Sequence, residues 1–132
     1  MKTLEFTLKL FAPVFYVVAA LHLVFGLSAD AMLGAAVPLE VSSEPSLSSQ
    51  NRFYGVAFAL YGIVLQLCAR DIKANEALFK AAMSVFFLAG VARLVPWVQY
   101  GSPAPMVIVL LASELLVPVV PLSWYARLRS AV

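Results

Sequence analysis

Four long apolar runs divide the chain, and polar or charged residues separate each run from the next. The runs cover residues 8–27, 53–69, 77–99 and 105–125. A helix needs ~17–25 predominantly apolar residues to cross the hydrocarbon core of a bilayer. Each run meets this length, with the second at the short end. The pattern therefore predicts an all-α fold, a four-helix transmembrane bundle in which residues 1–132 form a single integral membrane domain.

The first run has features of a secretory signal, because basic residues precede it and small residues follow it. Its apolar stretch is long for a signal, however, and is interrupted by Pro13 and His22. We therefore interpret this run as an uncleaved transmembrane helix.

One connection between the runs is long. Residues 28–50 form a Ser-rich segment of 23 residues, whereas the other connections are short. A structureless connection of this length is unusual in a compact unit and is often a lid. We expect Met32, Leu33 and Val37 to lie on the membrane surface or over the mouth of the bundle.

The distribution of lysine and arginine predicts how the helices are oriented. Loops on the cytoplasmic side of a membrane carry an excess of these residues. Placing both termini and the 70–80 loop on one side collects seven of them there, and the opposite side receives Arg52 alone. The seven are Lys2, Lys9, Arg70, Lys73, Lys80, Arg127 and Arg129. This bias predicts an N-in/C-in topology with the 28–50 segment outside the cytoplasm.

Composition supports a membrane protein and excludes several other classes. The chain is 63% hydrophobic and 12% charged, whereas soluble domains are about half apolar and a quarter charged. The net charge of +2 does not indicate nucleic-acid binding, because the basic residues are dispersed rather than clustered. The single Cys68 excludes an intrachain disulfide and a cysteine metal cluster. With no metal-binding constellation and no phosphate-binding loop, we expect no metal and no other cofactor.

Three acidic or basic side chains lie well inside the apolar runs, more than four residues from either end: His22, Arg93 and Glu114. Charged groups inside a bilayer are costly, usually face the protein interior and often mark function. Arg52 opens the second run on the same predicted side. At ~1.5 Å per residue, the other three lie roughly 8–12 Å below that side of the membrane. All four helices therefore contribute a polar group to the outer half, which predicts a polar cluster there.

Each member of this predicted cluster has a structural and a functional interpretation. Glu114 and Arg93 are expected to form an ion pair, since a carboxylate in hydrocarbon must be paired or protonated. Glu114 is equally a candidate general acid or base, or a ligand anchor. His22 is interpreted first as a hydrogen-bonded core histidine, and second as a proton carrier beside Glu114.

Residues at the start of the second run are candidates for a ligand site. Arg52 either extends toward the lipid headgroups or joins Arg93 in a two-arginine clamp for a carboxylate or phosphate. Asn51 precedes it, and Tyr54 and Tyr61 share a helical face below. Such a face more often packs against another helix, but it also suits a lipophilic pocket with a polar mouth.

Several sequence motifs resemble those of one family. They are HLVFG at 22–26, SQNRFYG at 49–55, GIVLQLCARD at 62–71 and FFLAGVARL at 86–94. These motifs are similar to the DUF4345 family of small four-helix bacterial membrane proteins. The resemblance implies a multi-pass protein of the bacterial inner membrane with an uncharacterised function and no settled catalytic residues. The layout is more distantly similar to DoxX-like and EXPERA proteins, which is an analogy of fold alone.

Three functional hypotheses follow. The first is a protein that binds a membrane lipid or another lipophilic small molecule, with Arg52, Arg93 and Glu114 as polar anchors. The second is an isomerase-type membrane enzyme in which Glu114 and His22 exchange protons with the substrate. The third is an accessory subunit whose bundle contacts a membrane protein partner or a second copy of itself.

Overall fold

The computed structural model describes residues 1–130; residues 131–132 of the predicted domain lie outside the described residues. Within 1–130 there are seven helices and no strand, which confirms the all-α prediction. The helices, in chain order, are α1 (Lys2–Phe25), α2 (Ser28–Met32), α3 (Leu39–Ser42), α4 (Pro45–Arg70), α5 (Glu76–Tyr100), α6 (Pro105–Leu116) and α7 (Val119–Ser130).

Four stretches are long and apolar enough to cross a membrane: α1, α4, α5, and α6 together with α7. Large apolar side chains cover their outer faces, as Phe6, Leu60 and Val120 do with more than 60% of their surface exposed. Such a surface suits lipid, and helices satisfy their own backbone groups there. The chain is thus a multi-pass membrane protein with a four-helix transmembrane bundle, as predicted, while its orientation stays a prediction.

Helix α4 begins at Pro45, eight residues before the apolar run does. Proline is well suited to the first helical position because its missing N–H would be unpaired there anyway. The Glu44 carboxylate caps the helix, accepting hydrogen bonds from the backbone N–H groups of Ser46 at 3.0 Å and Leu47 at 2.6 Å. This cap lets α4 begin among polar residues, so the last part of the 28–50 segment is helical.

The fourth span is interrupted at Val117–Pro118, between α6 and α7. Proline lacks a backbone donor and its ring clashes with the preceding turn, so a helix commonly bends or breaks there. Pro118 is fully buried at this bend.

Glycines allow α1 and α4 to pack closely along their length. A Cβ added at Gly55 would lie 2.1 Å from His22 Cβ, and one at Gly62 would lie 2.7 Å from the Tyr16 ring. Both distances are shorter than atoms tolerate, so only glycine permits this approach. Helix α5 packs between α4 and α6, and α7 contacts α1, α5 and α6.

The bundle has two different ends. We call the end that carries both termini the termini end, and the end where α1 leads into α2 and α5 leads into α6 the loop end. The fully buried apolar side chains concentrate at the termini end. The largest fully buried side chains there are Phe79, Leu4, Ile72 and Cys68, and Tyr125, 3% exposed, packs with them. A cavity begins beside this core and extends toward the loop end.

Candidate functional site

An elongated cavity of about 350 Å³ lies between the four spans. On α1 its lining extends from Thr7 to His22, which is roughly 22 Å at ~1.5 Å per residue. The opposite wall runs along α6 and α7 from Val107 to Pro121. Most of the lining is apolar, and the ionisable side chains gather toward the loop end. The cavity is therefore long, narrow and polar at one end.

The cavity is open on one side. Phe11 and Val14 of α1 line it, yet 44% and 54% of their surfaces are exposed. Among residues 1–130, α1 packs mainly on α4, and α6 packs mainly on α5. Helices α1 and α6 are connected mainly through α7, which contacts both. Beside Phe11 and Val14 the cavity therefore opens to the outer surface of the bundle, partway along α1. A lipophilic molecule could enter there from the membrane.

The predicted ion pair between Arg93 and Glu114 is present and lines the cavity. Arg93 Nε donates to Glu114 Oε2 at 2.6 Å, and Glu114 is only 5% exposed. Gly90 allows α5 and α6 to approach at this level, because a Cβ there would lie 3.1 Å from Glu114 Cβ. Within residues 1–130, neither Nη nitrogen of Arg93 has a hydrogen-bond partner, and neither does Oε1 of Glu114.

A second polar group joins three helices beside this pair. His22 Nδ1 lies 2.9 Å from the carbonyl oxygen of Val18, and because a carbonyl only accepts, Nδ1 carries a proton. His22 Nε2 is 3.5 Å from Asp30 Oδ1, and Asp30 Oδ2 accepts from Asn51 Nδ2 at 2.8 Å. Asp30 thus ties α2 to α1 and α4. Asn51 Oδ1 is buried without a partner in the described part of the chain.

Three predicted site residues do not line the cavity: Asn51, which binds Asp30, and Arg52 and Tyr54. The Arg52 guanidinium donates to the carbonyl oxygens of Leu23 and Val24, the latter at 3.0 Å, near the end of α1. It therefore satisfies carbonyls that a helix end leaves unpaired. The Tyr54 side chain is 64% exposed and packs edge-on against the Phe53 ring. Neither residue lines the cavity.

Tyr61 does line the cavity, where it is held by aromatic neighbours. Its ring stacks on Phe15 with 5.5 Å between centroids and lies 6.0 Å from the Phe86 ring. Aromatic contacts of this kind hold a ring in one orientation. The structure therefore brings His22, Tyr61, Arg93 and Glu114 together around one cavity.

The segment after α1 covers the polar end of the cavity. Leu33 and Ala35 line the cavity from this segment, as does Asp30. A Cβ at Gly34 would lie 3.4 Å from Ala104 in the α5–α6 connection, so the segment reaches across the bundle. Met32 is 62% exposed on its outer side. Sequence reasoning missed Asp30 as a site residue. The available signal was its position, since Asp30 lies eight residues after His22 and just beyond the first apolar run.

The described residues 1–130 contain no group of three or more His, Cys, Asp or Glu side chains placed to hold a metal ion. Arg93 and Glu114 together offer several hydrogen-bond donors and an acceptor, and His22 offers an acceptor or a proton. The arrangement can therefore bind a polar headgroup or exchange protons with one.

Comparison with known proteins identifies the family. The sequence signature of DUF4345, described as a domain of unknown function, matches residues 3–125. Because this match covers nearly the whole chain, the protein belongs to the DUF4345 family. No curated protein and no solved structure matches the chain.

Proposed function

We propose that this member of the DUF4345 family binds a lipid or another lipophilic small molecule in the cavity between its spans. The observation that carries the proposal is the cavity itself, about 350 Å³ with an apolar wall and a polar end. Ligand pockets are commonly 300–1,000 Å³, mostly apolar, with a few convergent polar groups. If the bundle served stability alone, we would expect side chains to fill this space.

The route of entry supports a ligand that resides in the membrane. The gap beside Phe11 and Val14 opens the cavity sideways, and a lipophilic molecule is already concentrated in the bilayer. We further propose that the protein resides in the bacterial inner membrane with both termini in the cytoplasm. The bias of basic residues toward the termini end supports this orientation.

A pair of matched substitutions on α1 tests the binding proposal. Val18 lines the cavity, whereas Val17 is 58% exposed on the outer face of the same helix. We expect Val18→Trp to fill the cavity and remove any lipid that copurifies with the protein in lipid nanodiscs, as read by native mass spectrometry. Val17→Trp adds the same bulk toward lipid and should leave that signal unchanged. Equal retention of bound lipid in both variants would exclude the cavity as the binding site.

An isomerase-type enzyme is the second candidate, and the shared cavity favours it. His22 and Glu114 both line the space that a substrate would occupy. One residue could remove a proton from the substrate while the other returns a proton at a different carbon. Under this hypothesis Glu114→Gln should retain ligand binding but abolish conversion of the bound molecule. Recovery of a chemically unchanged ligand from the unaltered protein would argue for binding alone.

The accessory-subunit hypothesis has less support. A closed polar cluster whose groups are all paired, together with a flat face of small residues, would favour this hypothesis. The cluster instead borders an open cavity, and Arg93 keeps both Nη nitrogens unbonded within residues 1–130. A membrane protein partner or a second copy of the chain stays a prediction, which crosslinking in native membranes would test.

A further inference from the structure

The charges around the cavity limit which headgroup it can accept. Its ionisable lining consists of one arginine, one histidine, one tyrosine and two carboxylates: Arg93, His22, Tyr61, Asp30 and Glu114. Arg93 is neutralised by Glu114 at 2.6 Å. A protonated His22 is neutralised by Asp30, and a neutral His22 leaves that carboxylate in excess. The net charge of the lining is therefore zero or negative.

The other cation near this end does not change that balance. Arg52 is held by two carbonyl oxygens at the end of α1 and lies outside the lining. An anionic headgroup would thus enter a low-dielectric site without an uncompensated positive charge to receive it. Such a transfer is strongly unfavourable. The two-arginine clamp considered from the sequence is absent from this cavity.

The Arg93–Glu114 pair still has unused hydrogen-bonding capacity. Within residues 1–130, Arg93 uses only Nε and Glu114 only Oε2 in hydrogen bonds, which leaves two Nη donor groups and one carboxylate oxygen available. A wholly apolar ligand would leave these groups without partners, which is costly away from water. A headgroup that both accepts and donates a hydrogen bond would satisfy both residues without adding charge.

The shape of the cavity favours one chain over two. Its apolar stripe on α1 runs from Thr7 to the polar end at His22, roughly 22 Å at ~1.5 Å per residue. The chains of one leaflet fill about half of the ~30 Å hydrocarbon core, so one such chain fits along the stripe. A volume of about 350 Å³ is near the lower limit for small-molecule pockets, so a second chain would not fit beside the first.

We infer that the site selects an uncharged single-chain amphiphile whose headgroup accepts a hydrogen bond from Arg93 and donates one to Glu114. Long-chain primary amides, long-chain alcohols and monoacylglycerols share this chemistry. The inference rests on the proposed function and adds the class of ligand. Anionic chains of the same length are excluded by the charge balance.

Probes of one chain length but different headgroup charge test the inference. The protein is placed in phosphatidylcholine nanodiscs, whose lipids are uncharged overall and have two chains. Hexadecanamide, 1-monopalmitoylglycerol and hexadecyl sulfate are added, and their binding is measured by native mass spectrometry. We expect the two uncharged probes to bind at least ten-fold more tightly than the sulfate. Equal or tighter binding of the sulfate would overturn the inference.

Substitution of Glu114 should reverse this preference. Glu114→Gln keeps the side-chain shape and leaves Arg93 as an unbalanced cation, so affinity for hexadecyl sulfate should rise at least ten-fold. Glu40→Gln is the matched control, because it changes the net charge equally at an exposed residue that does not line the cavity. A similar rise in both variants would show that overall charge decides, which contradicts the inference. If Glu114→Gln fails to fold, the probe comparison on the unaltered protein decides.

Val18→Trp separates this inference from the proposed function. If hexadecyl sulfate binds tightly and Val18→Trp abolishes its binding, the cavity binds lipids but the headgroup assignment fails. If no probe binds in a manner sensitive to Val18→Trp, the binding function itself fails. Uncharged probes that bind and are displaced by Val18→Trp support both.

Discussion

The two ends of the bundle use the same helices for different purposes. At the termini end, side chains from α1, α4, α5 and α7 fill the interior, and Leu4, Cys68, Ile72 and Phe79 have no exposed surface. Toward the loop end the four spans surround a cavity, whose polar end is lined by Asp30, His22, Arg93 and Glu114. One end supplies packing, whereas the other keeps empty space and charge inside a membrane.

This difference is the basis for the binding site proposed at the cavity. Empty space forfeits packing contacts, and charged groups in hydrocarbon are destabilising unless paired. A protein that retains both in one place usually does so for binding or chemistry. The termini end therefore supplies the stability that the loop end lacks, and substitutions at the two ends should have different consequences.

The largest effect is expected from a buried ring at the termini end. Phe79 has no exposed surface and packs against the Tyr125 ring, with 5.5 Å between centroids. Phe79→Ala should lower the free energy of unfolding by about 3–5 kcal/mol, because it creates a closed void. Phe86 lies seven residues later on α5 and lines the cavity. Phe86→Ala should lower the free energy of unfolding by distinctly less, since the Phe86 ring already borders empty space.

Unfolding in mixed micelles, with increasing fractions of a denaturing detergent, measures both losses. Equal destabilisation by the two substitutions would mean that the wall of the cavity is packed as tightly as the core at the termini end. The comparison between the ends would then not hold.

The next largest effect concerns the ion pair at the loop end. Glu114→Gln or Arg93→Gln alone leaves the partner uncompensated. Each should destabilise the bundle by about 2–3 kcal/mol, below the ~3–5 kcal/mol of fully buried pairs, because the Arg93 side chain is 35% exposed. The double substitution should cost less than the sum of the two. A double-mutant cycle read by thermal unfolding measures the coupling, and a coupling energy of zero would show that the pair contributes no stability.

The sequence was sufficient to predict this pair and the helices that carry it. Apolar runs of membrane-spanning length identify spans because lipid offers no other way to satisfy the backbone. The depths of Arg93 and Glu114 follow from counting residues along regular helices, so their meeting was predictable. The start of α4 was harder to predict, because the Glu44 cap extends the helix beyond its apolar run.

Side-chain environments at the loop end were not predictable from periodicity. Tyr54 and Tyr61 share one face of α4, yet Tyr61 lines the cavity and Tyr54 is 64% exposed. Arg52 points to the end of α1, a contact fixed by the close α1–α4 approach at Gly55. Asp30 lies in a connection, where hydropathy carries no positional signal.

A smaller and more local effect is expected at the cover of the cavity. Asp30→Ala removes the contacts to His22 and Asn51 that hold α2 over the loop end. A hydrogen bond of this kind contributes about 1 kcal/mol, so residues 28–44 should exchange amide hydrogens faster while the termini end is unaffected. Glu40→Ala is the control, since the Glu40 carboxylate has no hydrogen-bond partner within residues 1–130. Equal exchange rates in the two variants would show that Asp30 does not hold the cover.

The smallest effect is expected at the start of α4, where the Glu44 cap is exposed to solvent. Backbone N–H groups of Leu47 and Ser46 lower the pKa of the Glu44 carboxyl, because they bond to its ionised form. A lowered pKa means that the cap stabilises α4 above the ordinary glutamate pKa and loses this contribution as the pH falls through the lowered value. Glu44→Ala should therefore speed amide exchange in the first turn of α4 at neutral pH. At a pH low enough to protonate the carboxyl in the unaltered protein, the difference between the two proteins should shrink. A difference that stays constant across the titration would mean that the carboxylate does not act as the cap, and that Pro45 alone sets where α4 begins.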